Sequence, residues 1–394
     1  MGENAAESVS GLITCLEDND WSICREATKS LGKIGSSAVD AIPRLSNLLS
    51  DDEPSIRKEA AIALGKIGVA TDDTVSSLIA SLEDRDEEMR TEVVNALGRM
   101  GPGADAAIPN LIECFKDSSW TVRTAAALAI DGIGKGSAEA IPALVKALED
   151  PDWRVRHRSI NSLTQIGESA IPALMEVLNH LNPVVRQGVV ETLGEMRVTD
   201  PKVIDAVASL LSDKDEKVRG KSADSLRTIG ADAIPALINS YDIVDSKMKV
   251  QILSSLGGIG RDAETAIPHV ITFLNEGSTK IRIEAVRSLG KIGKADENVT
   301  SALEKALIDP NKDVRREAAL SLGKLGSNAS GAIPSLLNAL NDKHPEVRWR
   351  ASEALGYIGV ASNEVISGLE FRIHDEKDFV AEAAQEALDL IGGE

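Results

Sequence analysis

Apolar and polar positions recur along this chain with a short period nested inside a long one. The short period is helical. Around Arg315, the inward positions are the residue before the arginine and those three, six, seven and ten after it. They fall on one side of a 3.6-residue turn, with Val314, Ala318, Leu322 and Leu325 among them. The stretch Ala140-Ile141-Pro142-Ala143-Leu144-Val145-Lys146-Ala147-Leu148 shows helical spacing too. The long period is marked by the phrase Leu-Gly-x-Ile-Gly, at residues 31–35, 64–68, 289–293 and 355–359. Closing positions fall at 35, 68, 101, 134, 167, 197, 230, 260, 293, 326, 359 and 392. That gives twelve units, nine intervals of 33 residues and two of 30. Only the sixth unit ends without glycine, at Arg197.

Each unit predicts two helices. The first commonly opens with Ala-Ile-Pro, as at Pro43, Pro109, Pro142 and Pro334. Proline suits a first turn, where its missing N–H would be unpaired anyway. A polar turn with aspartate follows, then the second helix and a glycine placed for a left-handed cap. A further glycine after the last leucine recurs in eight units. Glycine inside a helix costs about 1 kcal/mol relative to alanine, so its recurrence predicts either close helix approach or early fraying. One helix pair of this size cannot bury its apolar face, but stacked pairs can. The expected fold is therefore all-α: one continuous solenoid over residues 1–394, without a separate catalytic domain. The two 30-residue intervals come from loops three residues shorter before Ile171 and Ile234, where a change of curvature is expected.

This arrangement, with proline opening the first helix, aspartate in the turn and Val-Arg opening the second, resembles the HEAT repeat family. The short unit and the Ala-Leu-Gly-x-Ile-Gly ending are similar to the HEAT-like repeats named after phycobilisome lyases. The resemblance spans essentially the whole chain. It implies a right-handed superhelix whose second helices line a concave face that binds protein.

Aspartate and arginine stand six apart in Asp51/Arg57, Asp84/Arg90, Asp117/Arg123, Asp150/Arg156, Asp213/Arg219, Asp309/Arg315 and Asp342/Arg348. One reading makes the arginines a row that binds ligand. The favoured reading is a ladder between turn aspartates and neighbouring arginines that fixes repeat stacking, since an arginine fork suits carboxylate or carbonyl partners. The ladder lapses at the ends, where Cys24 and Ala381 take the arginine position. The last unit is polar outside, with Glu382, Glu386 and Asp389, which reads as a capped end.

Positions one, two, five and nine after the arginine lie opposite the core stripe, and the resemblance turns them into the groove. Most are polar, such as Lys58, Asn95, Asn161 and Arg287. Leu128 and Leu320 break the rule at position five, Val250 and Ile283 at position one. Trp349 and Tyr357 take positions one and nine of one helix. They read either as a binding hot spot or as packing against long side chains of a neighbouring unit. Position nine also holds Lys33, Lys66, Arg99, Lys291 and Lys324. These suit the helix C-terminal dipole; alternatively they form two basic strips for an acidic partner segment. Trp21, Trp120 and Trp153, three before the arginine slot, are expected to cover seams between units.

Composition narrows the function. Lys+Arg number 43 against 62 Asp+Glu, a net charge of −19, which disfavours nucleic acid and anionic membrane as partners. Aromatic residues are only 3%, so the core must be aliphatic. Three cysteines, Cys15, Cys24 and Cys114, fit a reducing compartment such as the cytoplasm. Neither a signal peptide nor an apolar span of about 18 residues is visible. The five histidines show no metal-ligand spacing, and the His-Glu dipeptide of iron-binding HEAT-like hydroxylases does not occur. Gly132-Ile133-Gly134-Lys135-Gly136 lacks the spacing and preceding strand of a phosphate loop. No cofactor or metal is expected. The expected function is a non-enzymatic scaffold that holds a protein or extended peptide. The alternative, from the repeat subtype, is a bilin lyase or chromophore-handling protein.

Overall fold

The computed structural model describes residues 2–134, 137–294 and 296–392. They form an all-α solenoid of helical pairs, with no strand among them. The chain divides into two compact units, Met1–Met196 and Arg197–Glu394. The boundary falls at the closing position that lacks glycine.

In both units the second helices are the longer members, mostly fourteen residues, as in Pro54–Ile67, Trp120–Ile133 and Lys312–Leu325. Consecutive ones pack side by side. The leucine seven after the arginine slot is sealed from solvent in repeat after repeat: Leu31, Leu97, Leu163, Leu226, Leu289 and Leu322 are all 0% exposed. Burying each contributes about 2 kcal/mol, and neighbouring repeats supply the cover that one pair lacks.

The recurrent mid-helix glycine is a close-approach device. A Cβ on Gly98 would sit 2.7 Å from Ala129 Cα, and one on Gly65 equally close to Ala96 Cα. The facing position is kept small, as alanine in some repeats and serine in others. The serines hold the seam with hydrogen bonds: Ser288 Oγ donates to Leu253 O at 2.7 Å, and Ser321 Oγ to Val286 O at 3.1 Å. Fraying does not explain this glycine, because the helices run on past it.

Two kinds of linker join the pairs. In one, a 3₁₀ segment leads into Ile-Pro at the first helical turn, as Gly35–Ala41 leads into Ile42–Leu48. In the other, the 3₁₀ segment is absent and a side chain caps the first helix. Thr71 accepts from Thr74 N–H, Asp296 from Val299 N–H and Ser362 from Val365 N–H. The closing glycine follows this division. Gly68, Gly293 and Gly359, three residues before those caps, adopt the left-handed helical conformation. Gly35 and its like keep positive φ with ψ near −140°, a region only glycine enters freely. The expected left-handed cap is therefore found in a minority of repeats. Arg197, φ 51°, is the lone positive-φ residue other than glycine among the described residues, and it too precedes a side-chain cap, Asp200.

The two short repeats arise where the sequence places them. Their 3₁₀ segments, Gly167–Ala170 and Ala231–Ala233, have four and three residues, against seven in Gly101–Ala107 and Gly326–Ala332.

Candidate protein-binding face

Two surfaces are built from the second helices: an edge where they begin, and the broad face opposite the core. The edge carries the charged ladder. Arg57 donates from Nη1 to the backbone carbonyl of Asp51 at 3.0 Å, within its own repeat. Its Nε and Nη2 reach the carboxylate of Asp84, in the next one. The same double contact joins Arg90 to Asp117, Arg123 to Asp150, Arg315 to Asp342 and Arg348 to Asp375. The six-residue spacing thus marks a carbonyl contact, and the ion pair runs 27 residues ahead. Each aspartate also accepts a backbone N–H two residues on, for example Asp86 N–H to Asp84 Oδ1 at 2.9 Å. Burial pushes the Asp84 carboxyl up. The Arg57 fork, the backbone N–H and the nearby guanidinium charges outweigh it and hold Asp84 below the usual range. The same balance leaves Asp375 at about 2.

Several pairings differ from the expectation. Asp51 starts the row opposite Cys24, so its carboxylate has no arginine fork there and caps its own turn through Glu53 N–H. Asp150/Arg156 and Asp213/Arg219 keep the carbonyl contact, at 2.7 and 2.8 Å. Among the described residues neither arginine bonds a carboxylate ahead, because the next turns carry His180 and Ile243 at the aspartate position. Three positions outside the Asp/Arg pattern belong to the row, and one is Arg186, which donates from Nη1 to His180 O at 2.7 Å. Arg282 bonds Glu276 O and the Asp309 carboxylate, and Lys249 replaces arginine opposite Glu276 at 3.6 Å. Because the first contact uses a backbone carbonyl, the side chain six residues back need not be aspartate. Arginine position alone would have found Arg282.

The broad face is described separately for each unit. In Arg197–Glu394, Val250, Ile283, Leu320 and Trp349 are half-buried, while Tyr357, Lys291 and Lys324 are exposed. Trp349 and Tyr357 make no ring pair. Trp349 lies edge-on to Phe379 of the following repeat, centroids 5.8 Å apart, beneath the Arg350 guanidinium at 3.7 Å. This is packing between repeats, and Phe379 gave no signal in the periodic pattern. Tyr357 is 59% exposed, with one edge of its ring across Gly323. Between Ile283 and Leu320 lies an ionic cluster. Arg287 bridges Glu284 at 2.7 Å and Glu317 at 3.1 Å, and both glutamates are buried. The pattern marked Arg287 as polar and outward but gave no sign that it was bridged.

In Met1–Met196, Leu128 is exposed, as are Lys33, Lys66 and Arg99. The stems of Lys66 and Arg99 lie over Gly32 and Gly65 of the preceding repeats. That leaves their charges at the surface. Trp120 is capped by Arg154 of the next repeat at 3.3 Å, but Trp21 and Trp153 are 51% and 63% exposed. Seam cover therefore describes Trp120 alone.

Burial is the largest influence on Cys114, raising its thiol to about 11, and it also raises Cys24, so both are protonated at neutral pH. Among the described residues, no group of three His, Cys, Asp or Glu is placed to hold a metal ion. No described helix is long and apolar enough to cross a membrane. In the glycine-rich string at 132–136, Lys135 and Gly136 lie outside the described residues.

Helical pairs stacked through glycine seams and stitched by an Arg–Asp ladder define an α-solenoid of tandem repeats. The family profile for HEAT repeats matches residues 9–74, 42–131, 108–180, 171–247 and 300–389. The chain belongs to the HEAT-repeat family. Among solved structures it is similar to the karyopherin Kap121p bound to the extreme C-terminus of the protein phosphatase Cdc14p. That match has a TM-score of 0.67 at 16% identity and covers 99% of this chain and 50% of that one. Kap121p bound to Ste12p gives 0.67 at 15%, covering 100% and 50%. Kap121p bound to Pho4p gives 0.65 at 16%, again covering 100% and 50%. The chain spans about half the length of these neighbours, and the likeness is one of fold. No curated protein matches the sequence.

Proposed function

We propose that the protein is a non-enzymatic scaffold that binds a protein or extended peptide on its second-helix face, the face the family resemblance makes concave. The observation that carries this reading is the row Val250, Ile283, Leu320 and Tyr357 in one compact unit. Apolar side chains stand there at half-buried or exposed positions, in the same unit as the exposed Lys291 and Lys324. A few apolar anchors within a polar surround are the usual energetic core of a protein interface. The fold is shared with a karyopherin solved bound to the extreme C-terminus of a protein phosphatase, which supports the same reading.

The test is capture of partners from native lysate, with mass spectrometry, by wild type and by an Ile283→Ser/Tyr357→Ala variant of unchanged helicity. A Trp21→Ala variant, at the exposed start of another second helix, serves as control. The expected result is a specific protein depleted at least tenfold by the double variant and retained by the control. Equal retention by all three would move the site off this face. The phycobilisome-lyase branch of the resemblance predicts something else: a visible absorption band on adding bilin. Such a band without any protein partner would replace the scaffold reading.

A further inference from the structure

We propose that Arg156 and Arg219 are carboxylate-receiving sites, each set to take an aspartate or glutamate side chain from another protein. The inference does not rest on the second-helix face; it comes from the ladder edge.

The intact rungs show what the site is built for. In Arg57, Arg90, Arg123, Arg282 and Arg315, Nη1 is held on two carbonyls of the same turn, and in Arg348 on one, while Nε and Nη2 reach the carboxylate of the next repeat. In Arg90, these two nitrogens meet Asp117 at 2.7 and 2.9 Å. Arg156 and Arg219 are held by the same carbonyl pair: Asp150 and Pro151 for one, Asp213 and Lys214 for the other. Neither bonds a carboxylate among the described residues. At the vacant place in front of Arg156 stands His180, whose Nδ1 accepts from Asn182 N–H at 3.2 Å. It does the turn-capping work of the missing aspartate without supplying its oxygens to the fork. In front of Arg219 stands Ile243, which does neither. Glu216, one turn before Arg219, is engaged by Lys247.

The surroundings fit a side chain rather than bulk water. Both turns present an exposed aliphatic group, Leu181 at 87% and Ile243 at 72%. Arg156's own helix opens on exposed Trp153. The turn of Ile243 also holds Tyr241, which is fully buried with its hydroxyl lacking a hydrogen-bond partner. A planar guanidinium fixed by two carbonyls has lost most of its freedom before the ligand arrives, so its fork binds a carboxylate at little further entropic cost. Both vacancies fall in the 30-residue repeats, where the sequence departs from its own pattern.

The test observes the arginine Nε–H resonances of ¹⁵N-labelled full-length protein, assigned by their disappearance in Arg156→Gln and Arg219→Gln. The probe is N-acetyl-aspartate N-methylamide, with the asparagine analogue and acetate as separate arms. The expected result is a saturable shift of the Arg156 and Arg219 signals with the aspartate probe, none with asparagine, and no movement of Arg90. His180→Asp should abolish the shift at Arg156 alone, and Ile243→Asp the shift at Arg219 alone, by closing the rungs from within. Unmoved signals with every probe would overturn the proposal. Shifts with acetate but not with the capped aspartate would overturn the assignment to a protein side chain.

Discussion

Arg348 and Arg219 stand at the same place in their repeats, and each donates to the backbone carbonyl of the aspartate six residues back, Asp342 for one and Asp213 for the other. Arg348 then closes on Asp375 with two bonds of 2.8 Å, and both side chains are nearly sealed from water. Arg219 has Ile243 at the register position of that aspartate and bonds no carboxylate among the described residues. The backbone contact is therefore independent of the ion pair. A repeat can lose its neighbour's carboxylate and still place its arginine. What the carboxylate adds is coupling from one repeat to the next, and that coupling lapses where the 3₁₀ segment is cut short. The intact rungs read as structure, the open ones as available chemistry.

Acid should produce the largest effect, because it acts on four closed rungs together. The folded pKa values of Asp84, Asp117, Asp342 and Asp375 lie below the unfolded value of about 3.9. The stability they contribute is thus fully present above that value and is lost as pH falls through the folded pKa, near 2 for Asp375. Urea midpoints should fall between pH 4 and pH 2; a flat profile there would remove the ladder as a stabilising device.

Next in size, Arg348→Ala leaves Asp375 buried with only Arg372 near it, at 3.1 Å, and should cost about 3 kcal/mol. Arg156→Ala, which breaks only carbonyl contacts, should cost about 1 kcal/mol. Equal losses in urea melts would erase the distinction between closed and open rungs. Gly98→Ala drives a Cβ into Ala129 and should cost about 2 kcal/mol. Gly220→Ala, in the helix of an open rung with nothing within 4 Å, should stabilise by up to about 1 kcal/mol. Smallest of all, His180→Asp should raise stability by about 0.5 kcal/mol if the vacant place accepts a carboxylate from within. A loss there would mean that the place is not shaped like the other rungs.

Much of this was legible without coordinates, for a physical reason. In a tandem array the same local contacts repeat, so periodicity alone reveals the helix pair, its proline opening, its glycine close and its buried stripe. Leu322 and Val314 are inward because of their spacing, and no distant residue had to be known. The shortened segments before Ile171 and Ile234 were likewise visible as missing residues. The sequence also located the ladder's members, but not its wiring, because spacing within one repeat cannot say which neighbour an arginine faces.

The tertiary structure decided whatever depends on two repeats meeting. It turned the recurrent glycine from a liability into a seam, since only a facing Ala129 or Ala96 explains the missing side chain. It took Trp349 half out of solvent by placing Phe379 against it, and it tied Arg287 to Glu317 across a repeat boundary. It sent the arginines of the closed rungs forward 27 residues, and so set apart Arg156 and Arg219, which bond no carboxylate among the described residues. Periodicity fixes what a repeat is; contact across the stack decides which of its polar groups are already satisfied and which remain open to another molecule.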